Sequence, residues 1–107
     1  MRWKVKYYNQ AVADELSHWP SKMQGKYLRI IDLIEAHGPN LGPPLTKPLK
    51  NGLFEMRVKA QEGIGRAFFC YQQSHEIIVL HLFVKKTQRT PKKELHIAMQ
   101  RMKEVKP

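Results

Sequence analysis

GLFEMRVKAQEGIGRAFFCYQQSHEIIVLHLFVKK, residues 52–86, holds three apolar runs of strand length, at 53–60, 64–72 and 76–84. Gln61-Glu62-Gly63 and Gln73-Ser74-His75 separate them. Both breaks are short enough for hairpins, which predicts an antiparallel meander. In the first run Phe54, Met56 and Val58 point one way and Glu55, Arg57 and Lys59 the other. The first break reads as a three-residue hairpin with Gly63 in the left-handed position. The third run is apolar at nearly every position, as in a central strand covered on both faces. Arg57 and Arg66 stand inside this apolar sheet, and Lys85-Lys86 ends it. An arginine in a strand is costly unless its head reaches water or an anion, so these cations draw attention. A one-residue change of register would move Arg66 to the opposite face from Arg57, and the sequence leaves that register open.

Outward from the meander, residues 3–8 alternate as a short half-buried strand. Asn9 suits a helix cap, and Val12, Leu16 and Trp19 form one stripe of a short helix ending by Pro20. Ser21-Lys22-Met23-Gln24 fits a capping box for a second helix. Met23, Tyr27, Ile30, Ile31 and Ile34 form its buried stripe, and Gly38-Pro39 stops it. Residues 38–52, GPNLGPPLTKPLKNG, hold four of the seven prolines and read as a stiff linker without regular structure. Lys47 and Lys50 make it basic. After the meander, Thr90 is placed to cap and Pro91 to occupy the first turn of a final helix. Leu95, Ala98, Met99, Met102 and Val105 form its apolar stripe.

The 107 residues suggest one domain, 1–107, with 42% hydrophobic content. Net charge is +10. From Lys85 to Lys106 eight Lys/Arg face only Glu94 and Glu104. Such a field favours an anionic partner, nucleic acid first and an acidic protein second. A solvated helix face is the plainer explanation of the same charge run. The single Cys70 forbids an internal disulfide and reads as a small core residue. With no apolar run long enough for a signal peptide or a span, a cytoplasmic protein is expected, with no membrane partner.

There is no P-loop, no GxGxxG and no zinc spacing, and the five histidines are scattered. No spaced carboxylate pair suggests Mg²⁺ chemistry, so no metal or cofactor is expected. His81 reads as a hydrogen-bonded core residue. Phosphate chemistry would run on side chains alone. RNA carries its own nucleophile, the 2′-OH. A metal-free ribonuclease then needs a base, cations on the phosphorane and an acid for the 5′-oxygen. Arginine is the best phosphorane clamp, and a lysine among other cations can have its pKa lowered toward a base.

The segments GPPLTKPLKNGLFEMRV, EGIGRAFFCY and LHLFVKKTQRTPKKELHIAMQRMKEV, within residues 10–105, resemble the RelE/ParE toxin superfamily, and more closely its phage-derived Gp49-like, HigB-like branch. The resemblance implies an α+β fold in β-α-α-β-β-β-α order, a meander with a helical hairpin packed on it and a C-terminal helix. It implies the toxin of a type II toxin–antitoxin module: a metal-independent endoribonuclease that cuts mRNA, usually on the ribosome, and inhibits translation. A helix-turn-helix antitoxin would hold it in a hetero-oligomer. The family's roles on the scissile phosphate fall on Arg66 and Lys86, with Arg57 as a third candidate. RelE-like enzymes carry a tyrosine in the last helix, whereas KKELHIAMQR has none, and His96 is the candidate substitute. Lys50, Lys59, Lys85, Arg89, Lys92 and Lys93 are the residues expected to dock RNA backbone. Related ParE proteins share the fold and poison DNA gyrase, so a non-enzymatic toxin is the alternative. A structural role for the cations, with Arg57 paired to Glu55 or Glu76, is the third.

Overall fold

The computed structural model describes residues 2–85, 89 and 91–106. The elements run β1 (Lys4–Tyr7), α1 (Gln10–Leu16), α2 (Ser21–His37), β2 (Thr46–Pro48), β3 (Phe54–Ala60), β4 (Gly63–Gln72), β5 (Glu76–Lys85) and α3 (Lys92–Val105). The expected order holds, with one strand added. The sheet order is β1-β5-β4-β3-β2, with β1 parallel to β5 and the other neighbours antiparallel.

Asn9 caps α1 as expected: its Oδ1 accepts the Val12 N–H at 2.9 Å. The capping box at the start of α2 does not form. Pro20 takes the N-cap position and Ser21 is already helical, so its hydroxyl is one residue too far in. The Gln24 amide instead donates to the Trp19 carbonyl at 2.8 Å, tying α2 to the turn that follows α1. Gly38 ends α2 at φ +95, and its N–H reaches the Ile34 carbonyl at 2.7 Å.

The segment 38–52 is not wholly irregular, because Thr46–Pro48 joins the sheet as its edge strand. Pro48 is tolerated there because an edge strand has one unpaired side. Pro91 occupies the N-cap position of α3 rather than its first turn, and the expected Thr90 cap lies outside the described residues.

Helices α1 and α2 cover one face of the sheet. There Met23, Tyr27, Ile30, Ile31 and Ile34 pack on Phe54, Met56, Val58, Ala67, Phe69, Ile77, Val79 and Leu82. On the other face Ala98 and Met102 of α3 pack on Leu53, Phe68, Cys70, Ile78, Leu80 and Phe83. The even hydrophobicity of β5 thus reflects burial on both sides. Its alternation breaks once: Phe68 pairs with His81 and Phe69 with Val79, so Leu80 is an extra residue in β5. That bulge puts Leu80 and His81 together on the α3 face and returns Leu82 to the α2 face.

The first hairpin differs from expectation. Ala60 pairs with Gly63, so Gln61-Glu62 is a two-residue loop and Gly63 opens β4 at φ +148. Glycine is needed there for closeness, since a Cβ would lie 3.2 Å from the Lys85 carbonyl oxygen. At the second break His75 takes the left-handed conformation, φ 63.

Candidate functional site

The two-residue loop fixes the register, and the register assembles the site. Arg57 is the direct partner of Arg66, which pairs onward with Phe83. One row further toward the first hairpin stand Lys59, Ile64 and Lys85, and one row back Lys47, Glu55, Phe68 and His81. Strand alternation sends all of these side chains to the α3 face. The apolar cluster under α3 takes up Phe68, Leu80 and Phe83, so the charged residues gather on the remainder of this face, toward β2 and β3.

Glu55 holds the arginines. Its Oε1 accepts from Arg57 Nε at 3.1 Å, and its Oε2 lies 3.9 Å from Arg66 Nε. The alternation of β3 puts Glu55 on the polar face with Arg57 and Lys59, yet its side chain is only 1% exposed. Arg66 is fully buried, and its Nη1 donates to the Arg89 carbonyl at 2.8 Å. Burial, and then the neighbouring Arg57 charge, pull the Arg66 pKa below its ordinary value, while Glu55 opposes the fall. It remains a cation, as guanidinium groups do in proteins. Arg57, 26% exposed, is the arginine that meets solvent.

The other candidates lie as follows. Lys59 and Lys85 are exposed in the row beside the arginines. Lys50 is exposed in the turn between β2 and β3. Lys92 and Lys93 are exposed on the first turn of α3, and Arg89 is exposed just before it. His96 is exposed on α3 and contacts Gln100 one turn along the same helix at 3.4 Å. Among the described residues no contact joins it to the arginine pair. Lys86, expected at the scissile phosphate, lies outside the described residues.

Two relationships escaped the sequence reading. His81 Nε2 and Glu94 Oε1 meet at 2.6 Å, fastening β5 to the start of α3 across thirteen positions. The proline-rich segment before β2 lies beside Arg57: the Arg57 N–H donates to the Leu45 carbonyl at 3.0 Å. The tighter signal was Glu55-x-Arg57, two positions apart in a strand and so on one face. Cys70 is buried as expected, and burial pushes its thiol pKa up. Among the described residues no group of three or more His, Cys, Asp or Glu could hold a metal ion. No helix among them is long and apolar enough to cross a membrane.

The model of a family described as phage-derived protein Gp49-like matches residues 14–103. The chain belongs to the Gp49-like family. Its fold is that of RelE. An arginine-to-alanine double mutant of the toxin RelE from E. coli, solved in the free state, superposes with a TM-score of 0.72 at 8% identity, covering 95% of this chain and 99% of that one. An archaeal RelE–RelB complex from Pyrococcus horikoshii gives a TM-score of 0.59 at 17% identity, covering 83% of this chain and 100% of its counterpart. No curated protein matches the sequence. This Gp49-like chain therefore carries its basic cluster on one face of a RelE-type sheet, where Glu55 neutralises part of the cluster and orders it.

Proposed function

We propose that this Gp49-like protein is the toxin of a type II toxin–antitoxin pair and cleaves mRNA on the ribosome in the cytoplasm, with no metal. The observation that carries the reading is the Arg57–Arg66 cross-strand pair flanked by Lys47, Lys59 and Lys85 on one face of the sheet. A chain of net charge +10 draws a polyanion to such a face. The antitoxin partner is supported by the fold shared with a toxin solved together with RelB.

In the cleavage step the 2′-oxygen bonds to phosphorus and the bond from phosphorus to the 5′-oxygen breaks. The 2′-OH proton passes to a base and a proton is returned to the departing 5′-oxygen. Arg57 supplies planar, permanent charge to the phosphorane oxygens. Glu55 aims that guanidinium, and Arg66 fixes Glu55. Arg66 is buried behind it and donates to the Arg89 carbonyl. Lys85 and Lys86 are the candidates for proton transfer. Lys50, Arg89, Lys92 and Lys93 extend the basic surface for RNA backbone.

The test is transcript mapping by primer extension after brief induction of wild type and Arg57→Ala. Defined cuts inside translated frames, lost in Arg57→Ala while its thermal melt stays near wild type, are expected. Intact transcripts with arrested growth would overturn the nuclease reading and favour a protein target such as gyrase, recognisable by induced DNA damage.

A further inference from the structure

The last turn of α3 ends beside the hairpin between β4 and β5, where Gln72 Nε2 donates to the Val105 carbonyl at 2.9 Å. Tyr71 stands five residues along β4 from Arg66, about 17 Å away at the rise of a strand. Two hollows meet at this end of the molecule. One, of about 270 Å³, lies between Met99, Met102 and Lys103 of α3 and Asn51 in the turn between β2 and β3. The other, of about 590 Å³, is more open and runs over Tyr71, Gln73 and Ser74. Lys106 lines both. Its Nζ stands 5.3 Å from the centroid of the Tyr71 ring, and a Cβ on Gly52 would meet it at 3.5 Å. Tyr71 is 37% exposed, and Lys103 and Lys106 are exposed as well. No described acidic residue lines either hollow. The carboxylates nearest in sequence are committed elsewhere, Glu104 to the Tyr8 hydroxyl and Glu76 to Lys6 at 2.7 Å.

We propose that the two hollows form one groove that docks an acidic peptide segment of a protein partner, with an apolar side chain of that segment seated between its carboxylates. The inference does not rest on the nuclease reading and uses none of the residues assigned to cleavage. Met99, Met102 and Lys103 recur at i, i+3 and i+4, so two thioethers and an ammonium share one face of α3. Methionine is flexible and polarizable, and it adapts to the apolar side chain that enters. The ammonium groups of Lys103 and Lys106 stand at the rim and take the carboxylates. With a net charge of +10 and no carboxylate in the groove to compete, the complementary partner is acidic. Gln73 and Ser74 offer polar groups to the peptide backbone beyond Tyr71. RNA fits this groove less well. Thioethers offer no donor to a base edge, and the Tyr71 ring on which a base would stack already carries the Lys106 ammonium.

The test is a methionine-methyl resonance titration of the full chain with an acetylated, amidated pentapeptide that places leucine between two pairs of glutamates. Two controls accompany it: the same peptide with serine in place of leucine, and pentauridylate, which carries the same charge. The leucine peptide is expected to move the Met99 and Met102 methyls and to leave those of Met23 and Met56, buried on the other face of the sheet, where they are. The serine peptide should bind about tenfold more weakly, the scale of one apolar side chain left out of its pocket. Lys103→Ala and Lys106→Ala alter exposed positions, so their melts should match wild type. Each should weaken the leucine peptide about threefold, the scale of one exposed ion pair. Equal affinity for the leucine and serine peptides would overturn the apolar seat. Pentauridylate moving the same methyls as strongly would overturn the peptide as occupant and assign the groove to RNA. Met99 and Met102 methyls that stay still at millimolar leucine peptide would overturn the groove altogether.

Discussion

Arg57 and Arg66 are direct cross-strand partners, and the Glu55 carboxylate lies against both guanidinium groups. Like charges placed opposite each other in a sheet repel. Glu55 sets a negative charge against both, with Arg66 and Glu55 out of water.

Removing Glu55 leaves two cations side by side, one of them fully buried. Breaking a buried pair from one side costs about 3–5 kcal/mol. Glu55→Ala should lose stability on that scale in urea denaturation. Glu55→Leu combined with Arg66→Met should recover most of it, because a buried pair replaced by apolar groups of similar volume is close to neutral. A loss below about 1 kcal/mol in Glu55→Ala would mean the network is a surface contact in practice.

Gly65 tests the packing behind the same strand. A Cβ there would sit 2.6 Å from Trp19 Cζ3, 2.7 Å from Cη2 and 2.9 Å from Met23 Sδ. Trp19 is 3% exposed and holds the start of α2 against β4, so its ring has little room to withdraw. Gly65→Ala should cost about 1–3 kcal/mol by overpacking. The Trp19 emission should shift to longer wavelength as the ring is pushed toward solvent. Unchanged emission and stability would show that the indole turns aside freely.

The strands of the meander were legible because β3 alternates and β5 is apolar on both faces. What decided the site was less visible. A three-residue first loop would have set Arg66 opposite Val58, on the other face from Arg57; the two-residue loop sets the arginines together. That choice turns on Gly63 lying against the Lys85 carbonyl, a contact from a third strand. The edge strand Thr46–Pro48 has too few residues for a period and contains a proline. The β5 bulge, likewise, exists only in relation to β4. Glu55 was named from the sequence, with Glu76, as a partner for Arg57, and it is Glu55 that pairs, whereas its hold on Arg66 required the register.

The pair His81–Glu94, 2.6 Å apart, fastens β5 to α3 near the start of that helix. Both side chains are mostly buried, at 16% and 17% exposure. His81→Ala should cost about 1–3 kcal/mol, the range for leaving a buried polar partner unsatisfied. Amide exchange should accelerate first in α3, while α2 keeps its protection. Uniform acceleration through both helices would show that α3 unfolds only with the whole protein.

Alkaline stability gives a prediction whose sign is fixed by burial. Cys70 and Tyr27 are buried and Tyr7 partly so, and burial raises all three pKa values above ordinary values of 9.0 for the thiol and 10.0 for the phenols. The Tyr7 and Tyr27 hydroxyls lie 2.9 Å apart. A group whose pKa is higher in the folded state binds its proton more tightly there. Its contribution is complete below the unfolded-state value and is lost as pH climbs toward the folded one. Stability should hold up to about pH 9 and then decline, first with Cys70 and then with the tyrosines. Net charge falls toward zero near the sequence pI of about 10.0, so self-repulsion weakens over the same interval. The two effects therefore oppose each other, which makes the test sharp. Urea midpoints measured from pH 7 to 11 should fall above pH 9, and Tyr27→Phe should flatten the upper part of the fall. Midpoints that rise to a maximum at the pI and decline equally in Tyr27→Phe would assign alkaline stability to net charge instead.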